Sequence, residues 1–390
     1  MVIYFFLIIL SLIGFIIFKD KKENDKYRKI YFIILCLIFT LVSAIRYNVG
    51  TDYLNTYGNA LKWLSEGKNY NYEFLFLKLN FFIIKCHGTV WILMAICSIF
   101  TIPAFFKFIK ENVDKKYWFL AVFLFIGTTV YYATMNVVRQ YVAIAILLYA
   151  YNFFREKKYI RYIIFNCVAL LFHTSAIINF LLIILVMINN KKDINNVLII
   201  FYAISIIGII IDFRYAIKIF SFAIPERYVA YLNSKFIREK NYTAIFKLII
   251  PNIIIWLMFK NKNKLQENKN FNICYMAMWV YVILSNMFYG INIFIRLAWY
   301  FEYYMILIIP MIIKMFDDSN KVIQIGKNKK TEIPKVIKYI NNKKIKISTL
   351  LTITVIAYFT MLNIYSIFIN GGHSVVPYHT FLYYNIDIFN

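Results

Sequence analysis

Residues Val2 to Phe18 read VIYFFLIILSLIGFIIF, seventeen positions without one charged side chain. At about 1.5 Å per residue, a helix of such residues approaches the thickness of a hydrocarbon core of roughly 30 Å. Apolar runs of similar length recur from here to the C-terminal region, and Ile249 to Phe259, IIPNIIIWLMF, shows the same character. None of it alternates with the period of two expected of a membrane barrel, whereas a helix satisfies its own backbone hydrogen bonds in lipid. The spans are therefore predicted to be helical. Val2–Phe18 has no positive stretch before it and no small-residue cleavage site after it, so it is read as a retained span rather than a cleaved signal.

Composition supports the same solvent. The chain is 62% hydrophobic and 16% charged, with a mean hydropathy of +0.63, outside the range of water-soluble domains. Its 44 Lys and Arg against 19 Asp and Glu give a net charge of +25, which in a soluble protein would point to nucleic acid. Here most of that charge lies in short segments between apolar runs, where it fixes orientation and meets anionic lipid. Membrane lipids, and no nucleic acid, are thus the expected partners. The five cysteines are scattered, without metal-ligand or redox spacing, and are read as small packing residues.

Cationic clusters follow the first run (Lys19 to Lys29) and recur around Lys107 to Lys116, Arg155 to Arg161, Lys191 and Lys192, Lys260 to Lys269, and Lys314 to Lys346. The positive-inside rule places all of them in the cytoplasm and the N-terminus outside. That parity demands that Glu73 to Lys85, although apolar, lie on the membrane as an interfacial helix. It also demands that Ile160 to Ile188 be two short crossings meeting near His173, or a re-entrant hairpin. The resulting fold class is an all-α integral membrane protein, a polytopic bundle of about 12 transmembrane helices with an interfacial helix in the first outer loop. Spans are predicted near 2–18, 30–45, 89–106, 118–133, 137–154, 160–172, 174–188, 197–211, 244–259, 271–288, 296–314 and 347–369. The chain reads as a single transmembrane domain, 1–390, with outer loops 46–88 and 212–243 and a cytoplasmic loop 315–346.

Polar residues of unusual type gather at the outer ends. Arg46, Tyr47, Asn48, Gly50, Asp52, Tyr53 and Tyr57 combine a cation, a carboxylate, an amide and aromatic rings around a turn-forming glycine. That mixture suits sugar or phosphate recognition, although snorkelling Arg46 and interfacial tyrosines would also describe an ordinary membrane exit. Asn136 and Arg139 open the next outer entrance. A guanidinium there is costly unless it meets an aqueous cavity, an anion or a neighbouring carboxylate. His173, flanked by apolar segments, is either a hydrogen-bonded structural residue or a general base. Arg227 in the second outer loop and Arg296 at a span entrance complete the set, and Glu302, six residues deeper, either pairs with an arginine or is functional. Asp317 and Asp318 lie on the opposite side. His373 and His379 are expected in an exposed C-terminal tail. No Walker loop, dinucleotide glycine pattern, zinc signature or nucleophile elbow occurs, and neither a metal nor a cofactor is expected.

Three segments, in this order and spacing, resemble the EpsG family of bacterial polysaccharide proteins, related in type to Wzy-class polymerases. They are Arg46-Tyr47-Asn48-Val49-Gly50-Thr51-Asp52-Tyr53, Asn136-Val137-Val138-Arg139-Gln140, and Phe172-His173-Thr174-Ser175-Ala176. Arg296, followed by an aromatic span ending near Pro310, is a weaker match. The resemblance covers roughly residues 30 to 315. It implies a metal-independent membrane glycosyltransferase of the bacterial plasma membrane, active on the extracellular or periplasmic face. Such an enzyme polymerises polyprenyl-diphosphate-linked oligosaccharide, as both donor and acceptor, into capsule, exopolysaccharide or O-antigen chains. A flippase and a chain-length regulator would be natural partners. On that reading Arg46, Arg139, Arg227 and Arg296 bind the diphosphate. Tyr47, Asn48, Asp52, Tyr53 and Asn136 would help hold diphosphate and sugar, and His173 or Asp52 takes the acceptor proton. A flippase or transporter for the same lipid-linked substrate, and a glycan ligase or acyltransferase, remain the alternatives.

Overall fold

Side chains that a water-soluble protein would bury lie outside. On Val2–Phe18 (α1), Val2, Phe6, Ile9, Ile13 and Ile16 are exposed at helical spacing, while Tyr4, Leu7, Ser11 and Phe15 on the other face are buried. Asp25–Ala44 (α2) repeats this with Ile30, Ile33, Leu37 and Leu41 outside and Phe32, Leu35 and Phe39 within. Continuous apolar stripes facing outward are what a lipid solvent requires of a bundle's perimeter.

The computed structural model describes residues 2–19, 25–189, 193–210, 245–319, 322–324 and 344–383. These are almost entirely helical, apart from a short antiparallel ribbon pairing Val322–Gln324 with Lys344–Lys346. After α2 a π-helical turn, Tyr53–Gly58, leads to Asn59–Ser65 (α3) and Phe74–Lys85 (α4). Val90–Asn112 (α5), Trp118–Gly127 (α6), Val130–Asn136 (α7) and Val138–Arg155 (α8) form the centre. Tyr159–Leu170 (α9), Ile178–Ile188 (α10) and Ile194–Ile210 (α11) follow. Beyond residue 244 come Phe246–Lys260 (α12), Lys262–Leu265 (α13), Phe271–Met287 (α14), Asn292–Glu302 (α15), Met305–Asp318 (α16) and Ile347–Asn363 (α17). Helices α6, α7 and α8 are buried on nearly every side, so the core lies there.

Three described helices are long and apolar enough to cross a membrane, or five spans if each of two bent pairs counts as one. Those bent pairs add detail to the sequence reading. The expected span 118–133 is two helices at 50°, broken where Thr129 adopts a left-handed φ of 71°. The expected span 296–314 is likewise two helices at 45°, joined through Tyr303 and Tyr304. Backbone groups freed by a break inside a membrane need new partners. At the first break Asn363 Nδ2 donates to the Ile126 carbonyl at 2.8 Å, and the Tyr132 hydroxyl holds Asn363 Oδ1 at 2.9 Å.

The stretch 160–188 forms a hairpin of two short helices. At 12 and 11 residues, α9 and α10 are each about 18 Å long or less, shorter than a hydrocarbon core of roughly 30 Å. Their junction carries His173. The interfacial element expected at 73–85 is the 12-residue α4, which buries Phe76, Asn80 and Ile83 and leaves Phe74, Phe81 and Phe82 exposed.

The C-terminal segment overturns an expectation. Instead of trailing free, residues 371–383 fold against the start of the first loop: Arg46 bridges Thr380, Tyr47 N–H donates to the His379 carbonyl at 2.9 Å, and Gly50 N–H donates to the Ser374 carbonyl at 3.0 Å. His373 and His379 are both half-buried. The loop 212–243, most of 315–346, and Arg227, Lys191 and Lys192 lie outside the described residues.

Candidate functional site

The first loop is pinned before it reaches the site. Arg46 is fully buried, and its guanidinium donates to Ser98 Oγ at 2.7 Å, to the Met135 carbonyl at 3.3 Å and to the Ser43 carbonyl. It is thus an internal staple joining α2, α5 and α7. Tyr53, also buried, donates its hydroxyl to the Arg46 carbonyl at 3.3 Å and packs edge-on against Tyr47 at 5.8 Å. Asn48, with a φ of 51°, is exposed. At Gly50, with a φ of 101°, a Cβ would come within 3.0 Å of the Met135 carbonyl, so only glycine lets the turn lie this close to α7.

That approach brings two of the sequence segments together. Asn136 Oδ1 accepts from Thr51 Oγ1 at 2.9 Å and from the Asp52 N–H at 3.2 Å, fixing Asp52 at the start of the π-helical turn. One turn on, the Tyr57 hydroxyl accepts from the Arg139 N–H at 3.4 Å. Burial raises the Asp52 carboxyl above its ordinary value, and the nearby Arg296 and Arg139 charges offset only part of that.

The residue that organises the site is Glu73, which sequence reasoning passes over as the first residue of an apolar helix. Tyr72 donates to the Thr56 carbonyl at 3.2 Å and Leu75 N–H to the Leu171 carbonyl at 2.9 Å, so the segment is held between the first loop and the tip of the α9–α10 hairpin. Glu73 Oε2 then accepts from Arg139 Nη1 at 2.5 Å, and Oε1 lies 3.1 Å from His173 Nδ1. Oε1 also accepts from the Thr174 N–H at 3.2 Å. The Glu73 side chain is only 12% exposed, and those of Arg139 and His173 are 22% exposed. Tyr72 lies under the Arg139 guanidinium at 4.6 Å, within cation–π range.

The electrostatics define a tautomer. Burial alone would raise the Glu73 carboxyl, but the His173 hydrogen bond and the Arg139 charge hold it down at about 2. Burial, reinforced by the Arg139 and Arg296 charges, lowers His173 below its ordinary value against the pull of Glu73. At neutral pH the pair is therefore an ionised carboxylate and a neutral imidazole. Nδ1–H donates to Glu73 Oε1, and Nε2 keeps its lone pair for another proton.

Arg296 approaches from α15. Gln140 Nε2 donates to its carbonyl at 2.8 Å, and Ser175 Oγ reaches the Tyr300 hydroxyl at 3.2 Å, tying α15 to both α8 and the hairpin. The Arg296 charge acts on Asp52 and on His173, and no ion pair holds it among the described residues. Glu302 turns away from this cluster and takes Tyr281 and Lys247 as neighbours instead of an arginine. The structure thus assembles Asp52, Asn136, Arg139, His173 and Arg296, adds Glu73, and keeps Arg46 and Tyr53 beneath them. The described residues hold no group of three or more His, Cys, Asp or Glu placed to share a metal ion.

Comparison with known families matches residues 29–326 to the EpsG family. The chain belongs to the EpsG family. The match covers most of the chain and includes every element that supplies this cluster, from the first loop to α15. Membership makes it a membrane protein of polysaccharide-polymerase type, with the likeness to glycosyltransferases that this entails. No curated protein and no solved structure matches this EpsG chain.

Proposed function

We propose that this EpsG protein is a membrane glycosyltransferase. It joins polyprenyl-diphosphate-linked oligosaccharide repeat units into a longer chain at the outer face of the plasma membrane. The observation that carries this reading is the Glu73–His173 pair set between Arg139 and Arg296. Glycosyl transfer from a diphosphate needs two things at once: a base for the acceptor hydroxyl and positive charge for the departing diphosphate.

In the proposed step the acceptor hydroxyl oxygen attacks the anomeric carbon of the donor sugar as the bond from that carbon to the diphosphate oxygen breaks. The hydroxyl proton passes to His173 Nε2, and the electron pair of the broken bond leaves with the diphosphate. Glu73 orients the ring through Nδ1–H and stabilises the imidazolium that forms, as a carboxylate does for the histidine of a hydrolase triad. Arg296, free of an ion pair among the described residues, is placed to take the diphosphate, with Arg139 in support. Asp52, with its carboxyl raised, is assigned to sugar hydroxyls rather than to the base.

Broken helices and a charged interior would also serve a transporter of the same lipid-linked glycan, and one variant separates the two readings. Arg139→Lys keeps the charge but loses the planar donor fork. Loss of one such transition-state contact is worth about 2 to 4 kcal/mol, or roughly thirty-fold to a thousand-fold in rate. Cells carrying it at normal protein abundance should accumulate single lipid-linked repeat units on the outer leaflet. Accumulation on the inner leaflet would instead indicate failed flipping, and normal-length polymer would remove Arg139 from the site.

A further inference from the structure

A second polar chamber lies beside the cluster, on the other side of Trp299. It is a cavity of about 220 Å³ between α12, α14, α15 and α17, and Glu302, Lys247, His373, Tyr281, Ser285 and Trp299 supply its polar and aromatic wall. At about 30 Å³ per water it would hold about seven waters, so it is larger than a packing defect. Both helix breaks open onto it: Thr128 and Thr129 of the first, and Glu302 and Met305 flanking the second. Irregular backbone at membrane depth is tolerated where it lines a polar cavity, and discontinuous helices of this kind recur at binding sites.

The Glu302 carboxyl has Lys247, at the exposed end of α12, and the Tyr281 hydroxyl as its neighbours in the chamber. His373 is held at about 3 by burial and by the charges of Lys247 and Arg296, so its imidazole is neutral. Its ring lies 5.6 Å from that of Trp299, whose indole in turn faces the Arg296 guanidinium at 5.9 Å. A carboxyl, two hydroxyls one helical turn apart and two rings thus line one cavity. Such a wall is suited to a ligand with hydroxyls to bond and a carbon face to stack.

We propose that this cavity is a second site, binding a sugar ring, distinct from the diphosphate site at Arg139 and Arg296 and joined to it through Trp299. The ring has two conceivable sources, a lipid-linked glycan or a free one. The assignment of the chamber rests on its own lining, and only its use in chain extension rests on the polymerase reading.

The test is equilibrium binding to the purified full chain in lipid nanodiscs. The two probes are lipid-linked oligosaccharide extracted from the cells that make the protein and the free oligosaccharide released from it by mild acid. Glu302→Gln and the milder Tyr281→Phe each remove a polar contact to the ring, and a hydrogen bond to a charged group is worth about tenfold to a hundredfold in affinity. Weaker binding of the lipid-linked probe alone assigns the chamber to the anchored substrate, and weaker binding of both probes assigns it to either source. Wild-type affinity for both probes in Glu302→Gln and Tyr281→Phe would overturn the proposal. That result is independent of whether Arg139→Lys blocks polymerisation.

Discussion

The two ends of the bundle use the same side chains for opposite purposes. At the lysine-rich end, Asp114 pairs with Lys314 at 2.7 Å and Asp317 with Lys116 at 2.5 Å, and Ser348 Oγ adds a bond to Asp317 at 3.1 Å. The Asp114 and Lys314 side chains are 41% and 44% exposed, so water screens the pair, and such contacts contribute about 0–1 kcal/mol. At the other end Glu73 is 12% exposed and shared by a guanidinium and an imidazole. Removing one partner of a buried pair like that costs about 3–5 kcal/mol, because a charge is left uncompensated. The exposed Asp114–Lys314 pair staples helix ends together and tolerates loss. The buried one ties three segments, the turn before α4, the start of α8 and the tip of the α9–α10 hairpin, into one electrostatic unit, and under the proposed function that difference marks the reactive end.

The largest expected effect is therefore at Glu73. Glu73→Ala should lower polymerising activity by about a hundredfold or more, since it releases His173 from its tautomer and leaves Arg139 unpaired. It should also lower the thermal midpoint of the purified protein, and wild-type activity in this variant would break the comparison. A smaller effect is expected from acid. The base must be neutral, and His173 is held below its ordinary value of 6.5, so the rate should stay level from neutral pH down past 6.5 and fall only as pH drops through the lowered value. Glu73 shifts stability in the same direction. Its carboxyl stands at about 2 in the folded protein against 4.5 otherwise, so its contribution is complete above 4.5 and is lost as pH falls from there towards 2. A rate that already declines on acidification above pH 6.5 would exclude this histidine as the base. The smallest effect belongs to the lysine-rich end: Lys314→Ala should change stability by no more than about 1 kcal/mol and leave the rate unchanged. A loss of activity there would show that both ends are coupled to the reaction.

Much of this was legible in the sequence because it rests on local cost. A guanidinium at the mouth of an apolar run, as at Arg139 and Arg296, is expensive enough to announce a partner. Asn136 and Asp52 stand out instead through the polar segments they share with Arg139 and Arg46. Glu73 does not, because a carboxylate just before an apolar helix is also what an ordinary amphipathic segment offers. Its partners lie 66 and 100 residues away, where no local spacing points. A faint signal exists in its position, as an acid at the entrance of a mostly apolar helix. Arg46 was misleading for the converse reason: its cost is real, but hydrogen bonds to Ser98 and Met135 meet it inside the protein. The helix breaks were equally hidden. Gly127 hints at the first, yet Tyr303 and Tyr304 give no turn residue at the second, so tertiary packing decides it. The C-terminal histidines looked exposed because the contacts that draw their segment in are made to Tyr47 and Gly50, more than 300 residues earlier.

The most direct test is transfer by the purified protein in lipid nanodiscs, given only lipid-linked repeat units and no other enzyme, comparing wild type with His173→Gln. The wild type should lengthen the glycan. His173→Gln, which keeps a hydrogen-bonding side chain but no basic nitrogen, should bind the substrate with unchanged affinity and transfer it about a hundred- to ten-thousand-fold more slowly. Chain extension by His173→Gln at the wild-type rate would contradict the assignment of the Glu73–His173 pair as the reaction's base.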